Sequence, residues 1–154
     1  MITYNFESVA ECFDEIVRLG VDHDEEVNWA PDLYVLNPSW EMYHALESEG
    51  ALDCLVARDK GAVVGYIVAV TGPHINYQDL RVGTILTVFA RRDVRAAGVA
   101  YRLFRKMADR LESGGADVIH VYVPTINPPP ARLLDKLGFR KVEEKYECVN
   151  RQRR

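Results

Sequence analysis

The sequence predicts an α/β (α+β) fold in which one mixed central sheet has helices on both faces. Residues 84–90 are almost wholly apolar or β-branched, as expected of a strand that is covered on both faces. Residues 99–111 repeat apolar side chains at helical spacing. Residues 52–71 contain two apolar runs around a tight-turn signal. Together these features predict an antiparallel meander followed by a parallel β-α-β crossover.

The chain has the length and composition of a single domain spanning residues 1–154. It is 48% hydrophobic and 27% charged, and its net charge of −4 argues against nucleic-acid binding as its main task. No apolar run approaches the ~20 residues of a membrane span, and residues 1–8 lack the pattern of a signal peptide. Three cysteines without a C-x-x-C pair indicate neither zinc nor disulfides. We therefore expect a cytoplasmic protein with reduced, buried thiols, no metal and no membrane partner.

The first fifty residues predict one strand and two helices. Residues 1–6 alternate loosely, as an edge strand does, and Ser8 is a suitable N-cap for a helix that Gly20 would end. The acidic run Asp22–Glu26 that follows is either a solvated helix face or loop, or an electrostatic guide for a cationic amine. A second helix is predicted to begin at Asn37 as its cap, with Pro38 in its first turn.

The central part of the chain predicts a meander. Leu52–Arg58 and Ala62–Thr71 are the two strands around the turn Asp59–Gly61. A loop is predicted at residues 72–77, and the central strand is predicted over Val82–Ala90.

The last forty residues predict alternating strands and helices. After the helix that follows the central strand, we expect a strand at Asp117–Val123, a stiff proline loop at 125–130, a short helix at Ala131–Leu137 and a final strand at Phe139–Val149. Residues 150–154 are expected to fray.

The turn between the central strand and the long helix has the features of an anion site. Residues 95–100 read Arg-Ala-Ala-Gly-Val-Ala, and small residues let a ligand approach the backbone closely. The first amides of a helix lack internal partners and carry partial positive charge, which favours a pyrophosphate. Ligands of such sheets lie at the carboxyl ends of the strands, so the turn is expected to lie at the mouth of a cleft.

Two sequence motifs, together with the order of the predicted elements, resemble the GNAT N-acetyltransferase superfamily. Residues 95–100 match its pyrophosphate signature, [Q/R]-x-x-G-x-[G/A], in the strand–turn–helix position. A second pattern, N-x(5)-L-x(2)-K-x-G-F, runs from Asn127 to Phe139. The element order over residues 52–149 also fits. The Pro73–Tyr77 loop and the Val63–Tyr66 strand are similar to members encoded by bacteriophages.

The resemblance implies direct transfer of an acetyl group from acetyl-CoA to a primary amine of a small molecule or a protein, within a ternary complex. The pyrophosphate would lie on backbone amides of the turn, and the pantetheine arm would pair with the splayed end of the central strand. The candidate cofactor-binding residues are Val88, Phe89, Ala90, Arg95, Ala96, Ala97, Gly98, Val99, Ala100, Tyr101 and Asn127. For Arg95 the alternative is a plain surface arginine, and for Asn127 a cap or turn residue.

The chain departs from the family pattern where the chemistry would be. Many members carry a general-acid tyrosine at the position that Leu134 occupies here, and others carry a glutamate base on the central strand, where this chain offers only Thr84 and Thr87. A second hypothesis is therefore a catalytically silent acyl-CoA-binding sensor or interaction module. The family also commonly dimerises through a C-terminal strand edge, so a homodimer is a further expectation.

Candidate catalytic residues are few. His74 has a suitable pKa range for a base, Tyr77 and Tyr101 carry hydroxyls for a proton donor, and each has a surface or packing role as its alternative. The acceptor pocket is predicted to be lined by Trp40, Tyr43, His74 and Tyr77. The sequence suggests no specific role for the remaining histidines, which are His23, His44 and His120.

Overall fold

The computed structural model describes residues 1–129, 131–150 and 152, and its centre is one sheet of five strands in the order β1-β2-β3-β4-β5. The first four strands are antiparallel, and β5 pairs with β4 in parallel. This arrangement confirms the predicted mixed sheet, including β1 as an edge strand. The strands are β1 (Ile2–Phe6), β2 (Leu52–Asp59), β3 (Ala62–His74), β4 (Tyr77–Ala90) and β5 (Val118–Val121).

Helices cover both faces of the sheet, as predicted. One buried cluster joins α3 to the sheet through residues such as Phe104 and Met107, and a second joins α1 to the opposite face through Val9 and Cys12. Among the described helices, none is long and apolar enough to cross a bilayer. The helices are α1 (Val9–Val27), α2 (Trp40–Ser48), α3 (Val99–Ser113) and α4 (Ala131–Lys136), with a 3-10 helix at Arg92–Ala97.

Two predicted helix boundaries are wrong. Ser8 caps α1 as expected, but the helix continues through Gly20 to Val27, so the acidic run forms its last turns. A Cβ at Gly20 would lie 3.6 Å from the Tyr66 hydroxyl, so this glycine belongs to a packed helix face and does not end the helix. For α2 the cap is Ser39, whose hydroxyl accepts the Met42 N–H at 3.3 Å, and Asn37 lies outside the helix.

The predicted loop at 72–77 is also wrong, because β3 and β4 extend into it. Only Ile75 and Asn76 form the turn, and the strands pair as far as His74 with Tyr77. A register irregularity next to Pro73 accommodates the residue that cannot donate to the ladder. The hairpin therefore extends well beyond the start of β5.

The predicted final strand does not form. Within the described residues 139–150 no strand is present, and Val142 and Tyr146 are 71% and 86% exposed. Glu147 instead accepts hydrogen bonds from Trp29 Nε1 at 3.1 Å and Tyr34 Oη at 2.8 Å. An alternating pattern makes a strand only where an adjacent backbone edge supplies hydrogen bonds, and this segment is anchored by a side chain instead.

Two further expectations differ in part. The predicted strand at 117–123 shortens to β5, and of the three cysteines only Cys12 and Cys54 are buried, with their sulfurs 3.8 Å apart. Cys148 is exposed, against expectation. Pro130 of the predicted stiff loop, and residues 151, 153 and 154 of the tail predicted to fray, lie outside the described residues.

Candidate active site

The strands β4 and β5 separate where the family resemblance implied a binding edge. They pair only from Val82 with Val118 to Ile85 with Val121, after which β5 ends and β4 continues to Ala90. On its other side β4 stays paired with β3 as far as Ala90. In the described part of the chain, residues 86–90 therefore have a backbone edge with no strand beside it. The predicted contacts Val88, Phe89 and Ala90 lie on this edge, which we call the open edge of β4.

The open edge leads directly into the predicted anion turn. The backbone passes through the Arg92–Ala97 3-10 helix, which the sequence did not predict, and reaches Gly98 in the left-handed conformation with φ 73°. Gly98 is also the N-cap of α3 and supplies no capping side chain. Within the part of the chain that the structure describes, the first amides of α3 have no side-chain cap, as the anion-site prediction requires. The predicted phosphate contacts all lie on this turn, namely Ala96, Ala97, Gly98, Val99 and Ala100.

Arg95 is not a plain surface arginine in this fold. Its Nε donates to the Ala90 carbonyl at 2.8 Å, and its guanidinium lies 5.3 Å from the centre of the Phe89 ring. Its terminal nitrogen also pairs with the Glu26 carboxylate at 2.7 Å. Arg95 therefore joins the turn to the open edge and to the end of α1.

Glu26 is the centre of a charged cluster next to the turn. Its carboxylate also accepts from Arg92 Nε at 2.9 Å, while Asn127 Nδ2 donates to the Glu26 backbone carbonyl at 2.8 Å. Burial opposes ionisation of Glu26, but the hydrogen bonds from Arg95 and Arg92 outweigh it, and the pKa of this carboxyl lies below its usual value. Two side chains predicted to contact the cofactor, those of Arg95 and Asn127, thus meet at the same residue.

A second polar cluster lies on the α1 face of β4, and sequence reasoning missed it. His23 Nδ1 lies 3.0 Å from the Tyr66 hydroxyl and 3.3 Å from Thr87 Oγ1. The imidazole stacks on the Phe89 ring, with the centroids 4.9 Å apart. These residues come from α1, β3 and β4 and are far apart in sequence, so no local spacing revealed the cluster. We call His23, Tyr66 and Thr87 the His23 cluster.

The ionisation of His23 follows from its surroundings. Burial lowers the pKa of the imidazole from its usual value, and Arg95 acts in the same direction. Glu26 and Asp24 oppose this shift without cancelling it. The surroundings of His23 therefore favour the neutral imidazole over the imidazolium.

The three predicted catalytic residues do not form one site, because His74 and Tyr77 lie together and Tyr101 lies elsewhere. His74 and Tyr77 pack against each other at the tip of the β3–β4 hairpin, with ring centroids 4.8 Å apart. Tyr77 precedes Thr87 by ten residues of β4, about 33 Å at ~3.3 Å per residue. Tyr101 lies in the first turn of α3, beside the anion turn. The catalytic roles of these three residues, and the acceptor roles of His74 and Tyr77, stay predictions.

Trp40 and Tyr43 pack against α1. Both rings meet Phe13 edge to face, at centroid distances of 5.0 and 5.9 Å. Tyr43 is half-buried against the α1-side core, and burial raises the pKa of its phenol. Both residues therefore have a packing role in the structure, and their role in binding the acceptor stays a prediction.

A cleft of about 390 Å³ lies beside the C-terminal segment. It is formed where the residues after α1 meet the segment anchored by Glu147, and no sequence pattern predicted it. Its lining consists of Leu33, Tyr34, Glu147, Cys148, Val149 and Asn150.

Comparison with known proteins gives a family and a set of similar folds. The model of the acetyltransferase (GNAT) family matches residues 15–139. A search of curated proteins gives no match. Among solved structures, an aminoglycoside acetyltransferase from an uncultured soil metagenomic sample is 21% identical with a TM-score of 0.75, over 97% of this chain and 99% of the other.

Two other similar structures carry different activities. The ribosomal-protein-alanine N-acetyltransferase of Brucella melitensis biovar Abortus 2308 is 17% identical with a TM-score of 0.72, over 97% of this chain and 99% of that one. The glucosamine-6-phosphate N-acetyltransferase of Arabidopsis thaliana is 11% identical with a TM-score of 0.72, over 97% and 98%. At these identities the likeness shows the fold alone.

Proposed function

This chain belongs to the acetyltransferase (GNAT) family, and we propose that residues 1–154 form one domain that transfers an acetyl group from acetyl-CoA to a primary amine of a small molecule or protein. The observation that carries the proposal is the continuity between the open edge of β4 and the uncapped N-terminus of α3. The edge offers backbone partners to an extended amide-bearing arm, and the helix start offers amides to a pyrophosphate.

The hydrogen-bonding groups of the site are of the kind that acetyl-CoA needs. A side chain at Gly98 would stand on the surface where the phosphates are to lie, and this residue has none. A Cβ at this position would meet no atom of the described residues within 4 Å beyond the adjoining backbone, so the space is open. Backbone N–H groups of residues 96–100 would hold the phosphates, and residues 88–90 would pair with the arm. Holding amine and thioester together contributes up to about 7–11 kcal/mol in favourable cases, more than an acid or base supplies.

The first experiment measures binding and turnover separately. Calorimetry should show acetyl-CoA binding, and free-thiol release should rise when an amine is added. The acceptor panel contains an aminoglycoside, glucosamine 6-phosphate, spermidine and a peptide with N-terminal alanine, because the similar structures include enzymes for three of these classes. Absence of both acetyl-CoA binding and thiol release contradicts the proposal.

A silent acyl-CoA-binding module is the second candidate, and Leu134 favours it. Leu134 packs against the α3-side core and carries no hydroxyl where many relatives have a catalytic tyrosine. Acetyl-CoA binding without thiol release over the whole panel supports this candidate. Any amine-dependent release above the spontaneous rate rejects it.

Glu26→Gln is expected to tighten acetyl-CoA binding about three- to tenfold, or ~0.7–1.4 kcal/mol. The Glu26 carboxylate holds the two arginines nearest to the turn, so it competes with phosphates for their charge. The neutral amide keeps the shape and removes the competition. Calorimetry on both proteins measures the change.

Glu25→Gln is the matched control for Glu26→Gln. It makes the same change in net charge one residue away, on an exposed side chain. The affinity of Glu25→Gln for acetyl-CoA should stay close to that of the wild type. Weaker binding in Glu26→Gln would contradict the prediction and assign Glu26 a supporting role, in which it orients Arg95 toward the phosphates.

A further inference from the structure

We infer that His23 is the group that accepts a proton from the acceptor ammonium, and that Tyr66 and Thr87 hold its ring for this task. The inference rests on the proposed acetyl transfer and names a residue that the two family motifs do not contain.

The position of His23 is the first reason. Thr87 and Phe89, its partners on β4, belong to the open edge, beyond the last pair with β5 at Ile85. The arm of acetyl-CoA is proposed to lie along this same stretch. His23 thus lies next to the segment where the thioester would end, on the face of the sheet that α1 covers.

The hydrogen bonds of the ring are the second reason. Both described bonds involve Nδ1, and within the described residues no group bonds Nε2. When Nδ1 carries the proton, it donates to the Tyr66 hydroxyl, and Nε2 keeps its lone pair. Burial raises the pKa of the Tyr66 phenol well above its usual value, so that group stays protonated and acts only as a hydrogen-bond partner.

The charges around His23 are the third reason, because they suit a group that must accept a proton and then release it. Glu26 and Asp24, on the same helix, favour the imidazolium that forms after proton transfer, while Arg95 and burial favour the neutral ring before it. Tyr66 faces the ring from β3, and Thr87 and Phe89 face it from β4. A neutral base with nearby carboxylates can accept a proton at pH 7 and then release it to solvent.

The other candidate bases fit less well. The hydroxyls of Thr84 and Thr87 are not bases at neutral pH. His74, the last residue of β3, pairs with Tyr77 at the end of the hairpin that is distant from the open edge. His44 is exposed on α2, where it stacks on Trp40. Of these histidines, His23 is the one that contacts the open edge.

The proton balance is as follows. The ammonium gives one proton to Nε2 and becomes an amine with a free electron pair. The amine nitrogen bonds to the thioester carbonyl carbon, and the C–S bond breaks with its electrons on sulfur. The nitrogen loses its second proton to that sulfur, giving the amide and the CoA thiol. His23 then returns its proton to water, so each turnover releases one proton.

The test is His23→Gln with the most active amine of the wild-type panel. We expect kcat to fall about 10²–10⁴-fold with the acetyl-CoA affinity unchanged. The pH profile should change as well. Wild-type kcat/KM falls as the pH drops through the His23 pKa, below 6.5. The variant should lack this limb, and its rate should rise steadily with pH, because it depends on amine that is already free.

Three further measurements keep the outcomes distinct. His44→Gln should retain the wild-type rate, and Thr87→Val should lose less than His23→Gln while remaining folded. NMR titration of the wild-type imidazole, which needs no variant, should give a His23 pKa below 6.5. Unchanged rate and pH profile in His23→Gln, or a titration above 6.5, overturns this inference alone. A wild type that binds acetyl-CoA but acetylates no amine overturns the proposed function and this inference with it.

Discussion

Gly98→Asp is expected to weaken acetyl-CoA binding about 10- to 100-fold and to leave the fold intact. Gly98 has φ 73°, a conformation that aspartate and asparagine adopt more readily than most residues. Among the described residues, no atom beyond the adjoining backbone lies within 4 Å of the position that its Cβ would take. The new carboxylate would stand beside the phosphates at the start of α3. Repulsion of about 1.4–2.8 kcal/mol from the pyrophosphate charges gives this loss.

Gly98→Asn separates charge from backbone strain. Asparagine has the same size and the same left-handed tolerance as aspartate but no charge, so it should lose much less affinity. Calorimetry with acetyl-CoA, with thermal unfolding as the check on the fold, gives the comparison. Equal losses in the two variants would show that strain is responsible, and two unchanged affinities would place the phosphates elsewhere.

The features that the sequence predicted well depend on local patterns. The apolar residues of 84–90 and 99–111 follow the spacing of a buried strand and of an amphipathic helix, so β4 and α3 could be predicted. The position of Gly98 between these two elements followed from them. Glycine suits position 98 for a local reason, because the backbone there is left-handed at the start of a helix. The first of the two family motifs, residues 95–100, lies in the same part of the chain.

The features that the sequence did not predict depend on contacts with residues far away in the chain. Gly20 carries the signal of a helix end, but the packing of α1 against β3 overrides it. The alternation over 139–149 predicts a strand, yet bonds from Trp29 and Tyr34 hold the segment through Glu147. In each case a tertiary contact outweighed a correct local preference.

The candidate site divides in the same way. The predicted anion turn is a local motif, and its residues are adjacent in sequence. The His23 cluster joins α1, β3 and β4, so its members are adjacent only after folding. The sequence suggested His74 because of its side-chain type and its place just ahead of the central strand, and the structure puts it at the tip of the β3–β4 hairpin, away from the open edge. Side-chain type is readable from sequence, whereas distance to a reacting group is not.

Phe104→Ala is expected to lower the free energy of unfolding by about 3–5 kcal/mol, a large part of the ~5–15 kcal/mol of an ordinary domain. Phe104 is 1% exposed and lies in the cluster that holds α3 on the sheet. Its ring also meets Phe139, from the second motif, edge to face at a centroid distance of 6.4 Å. Removing it leaves a cavity between the helix and the sheet that the close-packed surroundings fill only partly. Denaturant unfolding measures the loss.

Tyr101→Ala is the control for Phe104→Ala, because it truncates an aromatic side chain on the same helix at an exposed position. It should change stability by less than ~1 kcal/mol, since little apolar surface is uncovered. The folded fraction of Phe104→Ala should still bind acetyl-CoA, because Phe104 lies more than one helical turn beyond the first amides of α3. A loss of affinity as large as that of Gly98→Asp would mean that the helix shifts when Phe104 is removed, and that Phe104 sets the position of the phosphate turn.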